Sequence, residues 1–405
     1  MAKIVILGSN FAGLTSAIEL KKKAGKEHDV TVISPSENFL YVPSLIWVPF
    51  GRRKVEDITF PIAPLLKRKG IRFIHDKATK INPENNTVQT KNSGQISYSY
   101  LVIATGVGLK WDIIENLDPD LGYIDCIVTP KYAEKAYESL KELIKDPGPV
   151  VVGSTQGASC MGAAYEYLFN LDKTLRKRKV RKKVEITWIT PEPFLGDFGI
   201  GGVKGGEWML KKFMSMLNIK YETNASIEKI EKEKITLKGG KELPYKMAML
   251  IPPFIGSEVM MNSQKLVDDN GFVPVNEGYQ HERFKNIYAA GLSVKVNAPR
   301  ESICAAVPYG VPKTGYPSDI MAKIAAENIV NDIKGNGKFV KKSFGQIPGI
   351  CVMDAGHKEV YILTNHLFKP RQFELMVPNP LNDWGKVLLE KYMIWKNKKG
   401  YAHLP

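Results

Sequence analysis

The sequence predicts an α/β protein with two Rossmann-like dinucleotide-binding domains and a C-terminal membrane-associating segment. Three observations carry this expectation. An apolar strand opens the chain and runs into a glycine turn and a helix-compatible stretch. A second strand, turn and helix pattern begins at Pro149. The last residues then combine aromatic, aliphatic and lysine positions at helical spacing. With 405 residues the chain has room for two or three domains, each with its own core.

The first unit reads Ala2-Lys-Ile-Val-Ile-Leu-Gly8-Ser-Asn10-Phe-Ala-Gly13-Leu. Gly8 and Gly13 take the outer places of a Gly-x-Gly-x-x-Gly fingerprint, with Asn10 in the middle. Asparagine tolerates left-handed backbone better than other non-glycine residues, so the turn is expected to survive. The next strand, Asp29-Val-Thr-Val-Ile-Ser34, ends on Ser34 where a ribose-binding carboxylate is usual, and Glu37 comes slightly late. The apolar, proline-broken run Phe39-Leu-Tyr-Val-Pro43-Ser-Leu-Ile-Trp47 is too irregular for a helix. It either packs as a core loop or lies against a flat cofactor. A later strand ends in Ala-Thr105-Gly106, and residues 107–148 read as a mixed linker carrying Cys126.

The second unit is Pro149-Val-Val-Val-Gly153-Ser-Thr-Gln-Gly157-Ala-Ser-Cys160-Met. Its turn lacks the middle glycine that lets a pyrophosphate approach the backbone. In that place it offers the Cys160 thiol at the start of a helix, where a thiolate is stabilised. A small buried hydrophobe lining the turn is the other reading of Cys160, and this stretch leaves both open. No acidic ribose ligand is read in this half. The basic run at 176–183 reads as a solvated helix face. The glycines from Gly196 to Gly206 read as a loop that must approach another backbone or a ligand closely. A strand ending in Ala-Ala-Gly291-Leu292 follows, then Val-Pro-Lys313-Thr-Gly315 and a helix over about 319–332.

Composition narrows the function classes. The net charge of +15 suits an anionic lipid surface, an anionic substrate or nucleic acid. Neither an RNA-binding aromatic signature nor zinc-finger spacing is present, which makes nucleic acid the weakest of the three, and no nucleic-acid partner is expected. The four cysteines lie far apart without Cys-x-x-Cys, and the six histidines show no metal-ligand spacing, so no metal is expected. No secretory signal pattern and no apolar run long enough for a transmembrane helix is read. Near the end, Val387, Leu388, Leu389, Tyr392, Met393, Ile394 and Trp395 can share a helical face. Lys386, Lys391, Lys396, Lys398 and Lys399 flank it, which describes a core helix or an interfacial helix lying in one membrane leaflet.

Taken in order, Gly-Ser-Asn-Phe-Ala-Gly, Ala-Thr-Gly, Gln156-Gly-Ala-Ser-Cys160, Asn286-Ile-Tyr-Ala-Ala-Gly291, Val-Pro-Lys313-Thr-Gly and Gly349-Ile-Cys351-Val-Met-Asp-Ala-Gly356 closely resemble the sulfide:quinone oxidoreductases. These are monotopic membrane flavoproteins with two dinucleotide-binding domains. The resemblance implies an FAD-binding domain from residues 1–107 and 272–335, a second Rossmann-like domain at 108–271 carrying Cys160, and a quinone and membrane-interface segment at 336–405 carrying Cys351. It implies FAD held by Gly8, Asn10, Gly13, Ser34, Pro43, Thr105, Gly106, Gly291, Leu292 and Lys313. Cys160 and Cys351 match the redox pair, Cys126 matches a third cysteine of many members, and Cys304 matches nothing and reads as a packing residue. Ile350, Lys386 and Tyr392 fall where the family holds its quinone.

The expected partners are hydrogen sulfide, a membrane quinone and a membrane surface, with homo-oligomerisation left open. Cys351 is expected to face the flavin while Cys160 carries the growing sulfur. Glu166 reads either as a proton shuttle or as a solvated helix carboxylate. Lys313 reads as polarising a flavin or quinone oxygen, or as a surface charge. Asp197 stands where many members have histidine. A type II NADH:quinone oxidoreductase, a flavocytochrome-type sulfide dehydrogenase and a non-catalytic flavin-binding redox sensor are the rival readings.

Overall fold

The computed structural model describes residues 1–299, 305–379 and 384–404; Cys304 lies outside them. Strands β1 (Lys3–Leu7), β2 (Asp29–Ser34), β3 (Arg72–His75), β4 (Tyr100–Ile103) and β9 (Ile287–Ala289) form one sheet in the order β9-β4-β1-β2-β3. Every pairing in it is parallel. A parallel sheet is covered on both faces, and the continuous apolar run Ile4–Leu7 is accordingly buried throughout. Helix α1 (Phe11–Ala24) packs against helix α4 (Gly315–Ile333) on this sheet.

The second parallel sheet runs β7-β6-β5-β8, from β5 (Val150–Ser154), β6 (Ile186–Ile189), β7 (Ile219–Glu222) and β8 (Met247–Ile251). Helix α3 (Met161–Lys177) follows β5. Each half carries a small antiparallel three-stranded meander, at residues 78–97 and 227–244, and strands Val107–Leu109 and Phe254–Gly256 pair across the two crossings between halves. A third layer follows: the antiparallel meander β10 (Gly349–Asp354), β11 (Glu359–Thr364) and β12 (Glu374–Asn379), then helix α5 (Trp384–Lys399).

Four local expectations are corrected. The run after Phe39 is a 3-10 helix, Val42–Phe50, with Pro43 in its first turn and its Ser44–Pro49 stretch buried. The linker contains a full helix, α2 (Pro130–Lys145), because Thr129 accepts from Tyr132 N–H at 3.3 Å and Pro130 is already set for a first turn. The basic run is not one solvated face: α3 ends at Lys177, and Arg181 is buried with its Nε 2.5 Å from Asp172. Asn10 has φ −92°, so the middle of the first turn uses no left-handed backbone. The loop of glycines does make its close approach, since a Cβ on Gly199 would lie 2.2 Å from the Gly310 carbonyl oxygen.

Helix α5 also departs from expectation, because its polar residues face inward. Lys386 and Lys396 are 4% and 1% exposed, and Glu390 and Asn397 are buried with them. Lys396 Nζ meets Asp319 at 2.8 Å, Arg53 meets Glu390 at 2.8 Å, and Lys386 pairs with Glu166. Trp384, Leu388 and Trp395 point outward at 70%, 60% and 45% exposure. Two of the five supposed edge lysines are therefore interior, each because a distant element supplies its carboxylate. Among the described residues no helix is long and apolar enough to cross a membrane.

Candidate active site

The first glycine turn is a tight cradle. A Cβ on Gly8 would lie 2.2 Å from the Ala104 carbonyl oxygen, and one on Gly13 would lie 2.1 Å from Gly8 O. Asn10, the N-cap of α1, buries a side-chain oxygen that has no hydrogen-bond partner among the described residues. An unsatisfied buried amide beside a helix N-terminus fits a phosphate-bearing ligand, with the amide able to turn its N–H outward. Ser34 is held to this turn by the Ser9 hydroxyl at 2.8 Å. Phe11 meets Phe39 and Tyr41 at ring distances of 5.0 and 5.9 Å, which brings the Pro43 segment against the same turn.

Thr105 accepts from Ser257 at 2.9 Å, and Gly106 and Gly291 adopt φ of 72° and 79°. Lys313 is interior, not a surface charge. Its ammonium donates to the Leu292 and Val294 carbonyls at 2.8 Å and lies 3.9 Å from the centre of the Phe272 ring. Burial pushes it down to about 7. The cofactor-class residues of the first domain thus gather around the ends of β1 and β4 and the start of α1.

Cys160 is the N-cap of α3. Cys351 is on β10, whose later residues lie on α3: Asp354 N–H donates to Glu166 Oε1 at 2.8 Å, and a Cβ on Gly356 would lie 2.4 Å from Phe169 O. The two cysteines and Glu166 influence one another electrostatically, and Lys386 bears on Cys351. Both thiols are free. Contrary to the expected helix effect, burial pushes the Cys160 thiol up to about 11, opposed by the Ala163 N–H. Although Cys351 keeps an exposed side, the protein around its sulfur pushes it up to about 12, with Lys386 pulling the other way. Cys126 is fully enclosed, and burial pushes it up to about 12; Cys160 is among the charges that reach it.

Glu166 is not a solvated carboxylate. Burial raises it, and the paired Lys386 ammonium is the largest opposing influence. Sequence reasoning missed the rest of this network. Asp354 accepts from Trp47 Nε1 at 2.7 Å and from Arg52 at 2.9 Å. The Trp47 ring has the Arg52 and Arg53 guanidinium carbons 4.7 and 4.9 Å from its centre and Lys386 Nζ at 5.6 Å. Burial raises the Tyr41 hydroxyl, with Glu390, Glu166 and Cys351 adding to it, so Tyr41 borders the same site. Nothing in local spacing ties these residues together. Ile350 is exposed beside Cys351, and Tyr392 is half-buried 6.1 Å from the Trp395 ring. Asp197 is buried in the glycine loop, where it accepts from Gly199 N–H at 3.0 Å.

The second glycine turn is occupied by the protein itself. The Gln156 amide donates to Ile227 O at 2.9 Å and accepts from Ile227 N–H at 3.0 Å. Gly157 N–H donates to Pro308 O at 2.6 Å, and α3 does not start until Met161. An acidic residue does follow β6, but it is not placed as a ribose ligand. It is Glu192, and its carboxylate is turned inward onto Thr190 Oγ1 at 2.7 Å, Phe198 N–H at 2.6 Å and the Tyr165 hydroxyl at 3.1 Å.

The pyridine nucleotide-disulphide oxidoreductase family model matches residues 2–302. The chain is 35% identical over 407 residues to the sulfide-quinone reductase of Aquifex aeolicus (strain VF5), covering 99% of this chain and 92% of that protein. It is 31% identical over 332 residues to the mitochondrial sulfide:quinone oxidoreductase of Dictyostelium discoideum, covering 77% and 69%. The X-ray structure of the Aquifex aeolicus sulfide:quinone oxidoreductase superposes with a TM-score of 0.92 at 33% identity, covering 99% of this chain and 92% of that one.

Proposed function

Because the chain belongs to the pyridine nucleotide-disulphide oxidoreductases and, within them, to the sulfide-quinone reductases, we propose that it oxidises hydrogen sulfide through Cys160 and Cys351 and reduces a membrane quinone. The observation that carries the reading is the docking of the Cys351 strand on the Cys160 helix through Glu166 and Asp354, beside a second turn closed to nucleotide. FAD is the cofactor, and when bound it supplies acceptance of two electrons from sulfur chemistry and their release to the quinone. The residues that would hold it are Gly8, Asn10, Gly13, Ser34, Thr105, Gly106 and Gly291, with Pro43, Leu292 and Lys313 alongside.

With Cys160 and Cys351 joined as a disulfide, hydrosulfide forms a bond to the Cys160 sulfur and the Cys160–Cys351 bond breaks. The products are a persulfide on Cys160 and a thiolate on Cys351, which leaves with the electron pair of the broken bond. Burial opposes that thiolate, and the Lys386 ammonium is the charge that favours it. On the acceptor side Ile350, Lys386 and Tyr392 border the quinone, and the Glu166–Lys386 pair holds a proton beside it. The outward Trp384, Leu388 and Trp395 of α5 bury in one leaflet, at the depth where a water-insoluble quinone is found. Gln156 and Glu192 are both satisfied internally instead of being turned toward a nicotinamide dinucleotide, which weighs against the type II NADH reading.

Cys160→Ser and Cys351→Ser test the proposal. Each is expected to abolish flavin reduction by sulfide while FAD stays bound, and Cys126→Ser to have a partial effect. Reduction at near the parental rate in either of the first two removes that cysteine from the reaction; complete loss in the third adds Cys126 to it.

A further inference from the structure

Beside the outward face of α5 lies an open cleft of about 620 Å³. One wall is a single helical stripe, Val387, Lys391, Ile394, Trp395 and Lys398, at spacings of three and four residues. The other wall is Arg53 and Asp57, from the segment that follows the buried 3-10 helix. The Arg53–Glu390 pair, bonded at 2.8–3.1 Å through three contacts, crosses the cleft and neutralises itself. Among the described residues the Lys391 and Lys398 ammonium groups meet no carboxylate. The Asp57 carboxylate accepts, among the described residues, only from the Lys54 backbone N–H. Two uncommitted cations, one carboxylate and an apolar strip of Val387, Ile394 and Trp395 therefore share one groove.

We infer that this cleft binds the head group of a glycerophospholipid of the phosphatidylglycerol type. Lys391 and Lys398 take the phosphate, Asp57 accepts from the glycerol hydroxyls, and the apolar strip receives the first methylenes of the acyl chains. A membrane lipid is the occupant because the same helix turns Trp384 and Leu388 outward next to the cleft, so a head group here has hydrocarbon beside it. The inference rests on the proposed membrane attachment, but it differs from general attraction to a negative surface. Diffuse attraction acts on any lysine near the membrane, Lys399 included. A site needs Lys391 and Lys398 in particular.

The test uses the FAD-loaded full chain in neutral detergent, with dihexanoyl phosphatidylglycerol added below its own micelle concentration and binding followed by calorimetry. We expect saturable binding of one lipid per chain. Binding should be at least tenfold weaker in the Lys391→Gln, Lys398→Gln double variant and unchanged in Lys399→Gln. Dihexanoyl phosphatidylcholine should bind at least tenfold more weakly, and millimolar inorganic phosphate should not displace the lipid. Flavin reduction by sulfide, expected at the parental rate in all variants, serves as the check of folding. Equal lipid binding by the double variant overturns the site, and displacement by inorganic phosphate makes it a general anion cleft. Sedimentation with vesicles separates the two levels. A chain that sediments with neutral and anionic vesicles but binds no soluble lipid loses the site alone, and one that sediments with neither loses the membrane attachment as well.

Discussion

Replacing Lys386 by methionine probes the pair at the centre of the site. The substitution keeps much of the side-chain volume and removes the ammonium that Glu166 faces. Among the described residues Glu166 would then keep only the Asp354 N–H at 2.8 Å as a partner for its carboxylate. Stranding one member of a buried pair costs about 3–5 kcal/mol. Part of this is recovered if the carboxyl takes up a proton, because burial already raises Glu166 and Lys386 is the largest influence holding it down. The folded state of the variant therefore binds that proton more tightly than the unfolded chain does. Its stability falls as pH rises from the ordinary carboxylate range through the raised value. Urea unfolding at about pH 5 and about pH 8 should show a deficit that is larger at the higher pH. Adding Glu166→Gln, which removes the stranded charge, should restore more than half of it. Parental unfolding midpoints at both pH values, or a double variant as unstable as the two singles summed, would refute the reasoning.

Two further outcomes follow from the geometry. Changing Trp384, Leu388 and Trp395 to serine together should lower partitioning onto vesicles at least tenfold, since each buried large apolar side chain contributes about 1.5–3 kcal/mol. Sulfide should still bleach the flavin of that variant, and undiminished sedimentation would place the attachment elsewhere. Gly8→Ala sets a methyl group 2.2 Å from the Ala104 carbonyl oxygen, so FAD should be lost on gel filtration; a full flavin complement after purification would contradict the cradle.

What was legible in the sequence was local. The strand, turn and helix from Lys3 to Ala24 could be read because apolar periodicity and glycine spacing lie within two dozen residues. Helix α5 shows where that reading stops. Its aromatic and aliphatic residues suggested one buried or lipid-facing stripe, yet Lys386 and Lys396 are interior. Their partners Glu166 and Asp319 lie 220 and 77 residues away, which no spacing rule reaches. For the same reason Arg52 and Asp354 went unread as site residues, and Tyr41 and Trp47 were read only within a run that packs as core or lies against a cofactor. Glu192 follows a strand as a ribose ligand would, and only the folded structure shows its carboxylate turned inward. For Cys160 the sequence left a helix-stabilised thiolate and a small buried residue both open, because a helix N-terminus is a local feature while the burial that outweighs it is a property of the assembled fold.

The most direct measurement is anaerobic mixing of the FAD-loaded protein with sulfide and, separately, with NADH, followed by addition of a soluble quinone. Sulfide should bleach the flavin, NADH should leave it oxidised, and quinone should restore the colour with one quinone reduced per flavin. Rapid bleaching by NADH with none by sulfide would contradict the account, because it would require the turn closed by Gln156 and the inward Glu192 to open for a nucleotide.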